Sequence, residues 1–198
     1  MTDELQPWTI VASRDVYTHE PWLKIRVETL ELPDGRRVEF HQVDSRDFVI
    51  IVPETDDGNF VLIRQYKHGA RRVNLTFPAG TLEAGEPALE CARRELLEET
   101  GYEAEDWTDC GRYVLMGNQK GPSGHLFLAR GCRKVAEPDS GDLEEMRVEV
   151  MDRDGLLACA ARGDIAIATQ VAALGLALNP DLAAALARGA APGAEVTG

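Results

Sequence analysis

From Trp8 to about Val43 the chain alternates apolar and polar positions in three runs, WTIVASRDVY, WLKIRVETLEL and RRVEFHQV, separated by HEP and by Pro33, Asp34 and Gly35. A period of two with turn residues between the runs predicts three antiparallel strands. Three short strands make a poor core, so they are expected to pack on the rest of the chain or on a second copy of it. Two nearly continuous apolar runs follow, FVIIVPE and FVLIRQYK, and the turn residues TDDGN between them predict a hairpin of two buried strands. The period changes over 87–100, PALECARRELLEET, where helix formers stand between Pro87, expected at the first helical position, and Gly101 as a stop. Beyond it RYVLM, HLFLARGC and MRVEVMD read as strands, with GNQKGPSG and EPDSGDLEE as loops. GLLACAARGD and IAIATQVAALGLAL read as one or two helices ending near Asn179 and Pro180, and the Ala/Gly-rich stretch from 181 is expected to fray. The mixed order implies an α+β or three-layer α/β/α arrangement, divided into 1–45, 46–180 and a flexible tail 181–198.

Composition narrows the function. With 44% hydrophobic and 28% charged residues, 198 residues can build a full core, so disorder across the chain is excluded. Lys plus Arg number 21 against 34 Asp plus Glu, so the formal charge is 21 − 34 = −13, which argues against nucleic acid as a partner. No run approaches the roughly 18 apolar residues of a membrane span, and MTDELQPWTI is acidic where a secretory signal is basic and then apolar. A cytoplasmic location away from membranes is therefore expected. Cys91, Cys110, Cys132 and Cys159 lack metal-site spacing and are expected to be small buried hydrophobes.

The helix carries the candidate chemistry. At about 100° per residue with Ala88 at zero, Ala92, Leu96 and Leu89 fall at about 40°, 80° and 100°, while Glu95, Glu99 and Glu98 fall at about 340°, 20° and 280°. Glu99 thus lies along the apolar stripe and the other two carboxylates crowd its edge, where repulsion and desolvation call for a cation. Hard oxygen ligands suit Mg²⁺, or Mn²⁺, better than zinc. A solvated acidic face paired with Arg93 and Arg94 would account for the triplet taken alone.

The surrounding spacing decides between these readings. Gly80, five residues, Glu86, seven residues, then Arg94-Glu95-Leu96-Leu97-Glu98-Glu99-Thr100-Gly101 match a signature at seven fixed positions, a chance event of order one in a million. The chain resembles the Nudix hydrolases. That resemblance implies an α/β/α sandwich around a mixed sheet and metal-dependent hydrolysis of a nucleoside diphosphate linked to another group. It implies Glu95, Glu98 and Glu99 as metal ligands together with the Ala79 carbonyl, and Glu86, Arg94, Gly80 and Gly101 as structural members of the motif. Glu98 and Glu99 are thereby the catalytic carboxylates.

RQYK at 64–67, FPAGTLEAGE at 77–86 and the N-terminal strands are similar to the branch that contains ADP-ribose pyrophosphatases and nucleotide-sugar pyrophosphatases. This implies a homodimer formed through the N-terminal strands, with Trp22 and Phe40 stacking on the base and Arg64 contacting phosphate. It also implies a general base in the loop after the helix, where Glu144 and Glu145 are the alternatives. The chain departs from the branch at Thr76, where an acidic residue is common, and at Leu115-Met116-Gly117-Asn118, where a proline is common. ADP-ribose is the leading substrate, with GDP-mannose or another nucleotide sugar as the alternative. A nucleotide-sensing module without catalysis would carry an eroded motif and a basic appendage, and this chain carries neither. An enzyme acting on oxidised nucleoside triphosphates would lack the N-terminal strands. The histidines are dispersed and read as satisfied or solvated, with a phosphate contact from His68, near Arg64, as the alternative.

Overall fold

The computed structural model describes residues 5–141 and 145–190, which form two compact units. The N-terminal unit runs to Asp47 and also takes in Val114–Ser123, a stretch that division by sequence alone leaves in the second domain. Its strands are β1 (Thr9–His19), β2 (Leu23–Glu31) and β3 (Arg37–Asp44), the three expected from the alternation. They form an antiparallel meander, with β1 registered from Thr9↔Glu31 to His19↔Leu23 and β2 from Lys24↔Asp44 to Glu31↔Arg37. Val27 and Leu30 of β2 are buried, whereas every residue of β1 is exposed, Ile10, Val11, Val16 and Tyr17 included. Asp44 joins Arg26 to Lys120, and Val43 N–H donates to Gln119 O, which fixes segment 114–123 against β3.

In the second unit the strands are β4 (Phe48–Thr55), β5 (Phe60–Lys67), β6 (Arg72–Thr76), β7 (Ala79–Thr81), β8 (Tyr102–Glu103), β9 (Asp106–Met116), β10 (Lys120–Lys134) and β11 (Met146–Met151). The tips of β9 and β10 belong to the first unit. The helices are α1 (Ala88–Thr100), α2 (Arg153–Ala161), α3 (Ala168–Leu178) and α4 (Pro180–Gly189). β10 runs parallel to β4, β5 runs antiparallel to β11, and β6 and β7 pair with β5 and β4. The sheet is therefore mixed. Both strands of the expected β4–β5 hairpin are buried as their apolar runs require, but they pair only at Glu54↔Phe60. β4 takes its bonds instead from β7 and β10, because FVIIVPE is apolar on both faces and suits the middle of a sheet.

Alternation along the strands sorts the core into two layers. Ile50, Val52, Phe60, Leu62, Leu75 and Phe77 pack against α2, α3 and α4, while Val49, Ile51, Phe127 and Ala129 pack against Cys91, Ala92 and Leu96 of α1. This is the α/β/α arrangement. All four cysteines are free and buried. Two local expectations need correction. Pro87 is the residue just before α1, with extended backbone (φ −64°, ψ 139°), not its first helical residue. The stretch from 181, expected to fray, continues as α4, since Asn179 caps it by accepting from Leu182 N–H at 3.0 Å and Ala183 is buried. Residues 191–198 lie outside the described residues. No single described helix is long and apolar enough to cross a membrane.

Candidate active site

The site begins with the link between β6 and β7, held at its backbone. Gln170 of α3 takes both hydrogen-bonding groups of Phe77, accepting from its N–H at 2.7 Å and donating to its carbonyl at 3.3 Å. A lone glutamine in the apolar run IAIATQVAALGLAL was the available signal for this clamp. Ile51 N–H then donates to Pro78 O, and antiparallel alternation turns Ala79 away from β4. The Ala79 N–H donates to Glu99 Oε2 at 3.0 Å, so the carboxylate on the apolar stripe of α1 is buried, 3% exposed, with its charge met by a backbone donor.

Arg94 organises the other acids. Its Nε and Nη2 grip Glu86 at 2.9 and 3.0 Å, and its Nη1 donates to Glu95 at 2.7 Å and Glu98 at 3.1 Å. Glu86 also accepts from Glu83 N–H at 2.9 Å, which ties the loop before α1 to the helix. A Cβ built at Gly80 would overlap the Glu95 carboxylate, so glycine lets that side chain lie directly on the backbone. Gly101 ends the helix in the left-handed region (φ 74°), and its N–H donates to Leu97 O at 2.7 Å. Val135 and Ala136 N–H donate to Gly101 O, and Asp139 N–H donates to Glu98 O at 2.8 Å, so the loop after β10 is fastened to the end of α1.

The charge-assisted bonds to Arg94 hold the Glu86 carboxyl down from its ordinary 4.5 to about 2, and they make the Arg94 guanidinium harder to deprotonate. Since the folded value of Glu86 lies below the unfolded one, its contribution to stability is present above about pH 4.5 and is lost as pH falls toward 2. Glu86→Gln is expected to cost about 1.5–3 kcal/mol at pH 7. In urea unfolding at stepped pH, the gap between variant and wild type should close below pH 4.5; a gap constant down to pH 3 would count against this pairing.

The structure brings Glu86, Arg94, Glu95, Glu98, Glu99, Gly80 and Ala79 together, as the spacing implies. Among the described residues, no three acidic, histidine or cysteine side chains converge at metal-binding distance. Glu95 and Glu98 turn instead to Arg94 Nη1, which balances their charge, and Glu99 turns to the Ala79 amide. The donor set, carboxylates only with a backbone beside them, fits a hard divalent cation.

The remaining candidates are placed differently. Arg64 grips Glu149 through Nε and Nη2 at 2.6 and 2.9 Å and lies 3.9 Å from Asp164, on the α2–α3 side of the sheet, opposite α1. This lowers the Glu149 pKa and raises that of Arg64. The guanidinium expected to contact phosphate is thus already paired, and Glu149, which the sequence reading passed over, is the reason. His68 meets Tyr66 at 3.3 Å. Phe40 packs edge-on against Trp8 at 5.5 Å, while Trp22 has the Arg46 guanidinium 5.6 Å from its ring centre. Phe40 stands opposite Glu28, so it is about six residues, roughly 20 Å, along the ribbon from Trp22. Within one chain the two rings cannot flank the same base. Thr76 is buried, accepting from Gln65 at 3.0 Å and donating to Ile63 O, and the carbonyl of Asn118 accepts from Gln42. Glu144 lies outside the described residues. Glu145 is exposed at a cavity of about 300 Å³ that Arg64, Tyr66, Val73 and Arg147 also line.

Comparison with known proteins agrees with this geometry. Residues 44–167 match the NUDIX domain, and residues 8–43 match the nucleoside diphosphate sugar hydrolase N-terminal domain. The chain is 32% identical over 130 residues to the ADP-ribose pyrophosphatase of Bacillus subtilis (strain 168), covering 66% of this chain and 70% of that one. It is 28% identical over 191 residues to the ADP-sugar pyrophosphatase of Mus musculus, covering 86% and 87% of the two chains. A crystal structure of ADP compounds hydrolase superposes with a TM-score of 0.76 at 25% identity, over 88% of this chain and 94% of that one. With the motif assembled on one helix and more than half the chain matching the family, this protein belongs to the Nudix hydrolases.

Proposed function

We propose that this chain hydrolyses the diphosphate bond of a nucleoside diphosphate sugar, ADP-ribose first, to give AMP and ribose 5-phosphate with Mg²⁺ or Mn²⁺ as the cation. The observation that carries the reading is the intact Glu86–Arg94–Glu95/Glu98 cluster beside Glu99 on the Ala79 amide, in a chain whose residues 8–43 match the nucleoside diphosphate sugar hydrolase N-terminal domain. The relatives named for ADP-ribose and ADP-sugars support the substrate class.

Glu95, Glu98, Glu99 and the Ala79 carbonyl would hold the cation. When bound, it neutralises the diphosphate and lowers the pKa of water. The chain's own part is positional: Arg94 aims Glu95 and Glu98 from behind, and the Ala79 amide holds Glu99 by a hydrogen bond within an apolar layer. Glu145 or Glu144 would take the proton of the attacking water. Trp22 and Phe40 would sandwich the base only across two copies, joined through the exposed apolar residues of β1 into a homodimer. GDP-mannose or another nucleotide sugar is the second reading, resting on the departures from the branch pattern at Thr76 and at Leu115-Met116-Gly117-Asn118.

The test is release of AMP or GMP from a panel of nucleotide sugars with and without Mg²⁺, together with mass in solution. Turnover of ADP-ribose by a species of about twice 21.7 kDa is expected. Failure to turn over any nucleotide sugar overturns the reading, and a monomer overturns the shared base site.

A further inference from the structure

The link from β6 to β7 crosses between two strands. β6 pairs with β5 as far as Ile63↔Thr76, and β7 pairs with β4 from Ile50↔Ala79 on, so at Phe77 and Pro78 the chain leaves one neighbour and joins another. Backbone groups at such a crossing lose their ladder partners and need others. Proline has no N–H to satisfy, and Pro78 O accepts from Ile51 N–H at 2.9 Å. Phe77 is 1% exposed, and both of its backbone groups fall to one side chain, Gln170, itself 4% exposed.

A buried amide costs free energy unless its groups are bonded. Gln170 stands on α3 with Ala173 and Leu176, which are buried in the apolar layer that α2, α3 and α4 form with Phe77. Its place there is explained by the two bonds to Phe77, and those bonds reach toward the other layer. Two residues on, the Ala79 N–H donates to Glu99 Oε2 at 3.0 Å, and Glu99 belongs to α1 across the sheet. The planar peptide leaves few soft dihedrals between Phe77 and Ala79. Displacing Phe77 therefore displaces the Ala79 amide and carbonyl together.

We infer that Gln170 is a positioning residue for the cation site: by clamping Phe77 from α3 it sets where the Ala79 carbonyl and the Glu99 carboxylate stand, and so sets the affinity for a divalent cation. It acts through the backbone, from the far side of the sheet, and touches none of the acids. The inference rests on the reading above that Ala79, Glu95, Glu98 and Glu99 hold the cation, and it adds what fixes their relative placement. Groups that orient ligands in this way change metal affinity by about tenfold to a hundredfold.

The test uses the whole chain with Mn²⁺ alone as the probe, read by calorimetry without substrate. Gln170→Met, close in size and unable to bond either group of Phe77, is expected to bind Mn²⁺ about tenfold to a hundredfold more weakly. Leu176→Val loosens α3 in the same layer with Gln170 left in place, and should change Mn²⁺ affinity by less than about twofold. Gln170→Glu keeps the acceptor for Phe77 N–H and, in its neutral form, the donor to the carbonyl, so it should lie about threefold to tenfold below wild type. In nucleotide-sugar hydrolysis the half-saturating Mn²⁺ concentration of Gln170→Met should rise by the same factor, while kcat at saturating Mn²⁺ falls less. Wild-type Mn²⁺ affinity in Gln170→Met overturns the inference; so does an equal loss in Leu176→Val, or no Mn²⁺ binding by wild type. If Gln170→Met does not fold, Gln170→Glu decides, and wild-type affinity there overturns it. Because Mn²⁺ binding is read without substrate, failure here is distinct from failure of the proposed reaction.

Discussion

Replacing Glu98 or Glu99 by glutamine is expected to lower kcat for a nucleoside diphosphate sugar by roughly a hundredfold to ten-thousandfold while leaving the fold intact. The substitution keeps size and hydrogen-bonding capacity and removes one negative charge. For Glu99 the structural partner is the Ala79 N–H at 3.0 Å, which an amide oxygen can still meet. Stability should therefore change by no more than about 1 kcal/mol, because removing a buried charge offsets the weaker hydrogen bond. For Glu98 the loss is one contact to Arg94, which retains Glu86 and Glu95. Catalysis depends on the charge itself, because a hard cation needs ionised oxygen ligands. Thermal melts and initial rates on the same preparations separate the two effects. Rates equal to wild type in both variants would show that α1 carries a solvated acidic face and nothing more.

Gly80→Ala is expected to damage the site from outside it. The glycine is not needed for its backbone conformation, unlike Gly101 with its φ of 74°; it is needed because a methyl group would occupy the space of the Glu95 carboxylate. Either Glu95 swings out and gives up Arg94 Nη1, or β7 moves off β4, where Val49↔Gly80 is a registered pair. Overpacking of this kind costs about 1–3 kcal/mol, and a displaced ligand or orienting group costs about tenfold to a hundredfold in metal affinity or activity. Mn²⁺ titration and denaturant unfolding measure the two losses. A variant with unaltered Mn²⁺ affinity would mean that Glu95 has no part in holding the cation. Gly85 is the contrast: it has a positive φ of 78° but open space around it, so its replacement should cost stability through backbone strain and leave metal affinity alone.

The helix and its chemistry were legible in the sequence because they are local. Pro87 and Gly101 bracket α1, 3.6 residues per turn place Glu99 on the buried stripe, and the spacing of Glu86 to Arg94 lets the bidentate pair close. The three N-terminal strands were legible for the same reason, since alternation and turn residues act over a few positions. Register and partner choice were not. FVIIVPE and FVLIRQYK read as a hairpin, yet β4 and β5 share only Glu54↔Phe60, because non-local partners β7, β10, β6 and β11 satisfy the same backbone groups. The 181–189 stretch has an Ala-rich composition that tolerates coil, and only the cap at Asn179 and burial of Ala183 decide for helix.

By itself, then, the sequence determined the carboxylates and the arginine that aligns them, since spacing and period are properties of a short segment; the α/β/α class came through the family resemblance that this spacing carries. Tertiary structure decided which cation Glu149 binds. Arg64 and Arg147 stand opposite each other on paired strands, and nothing in either local sequence says which one Glu149 will bind. That choice is made by the pairing of β5 with β11, two strands about eighty residues apart in the chain whose register brings Glu149 within reach of Arg64.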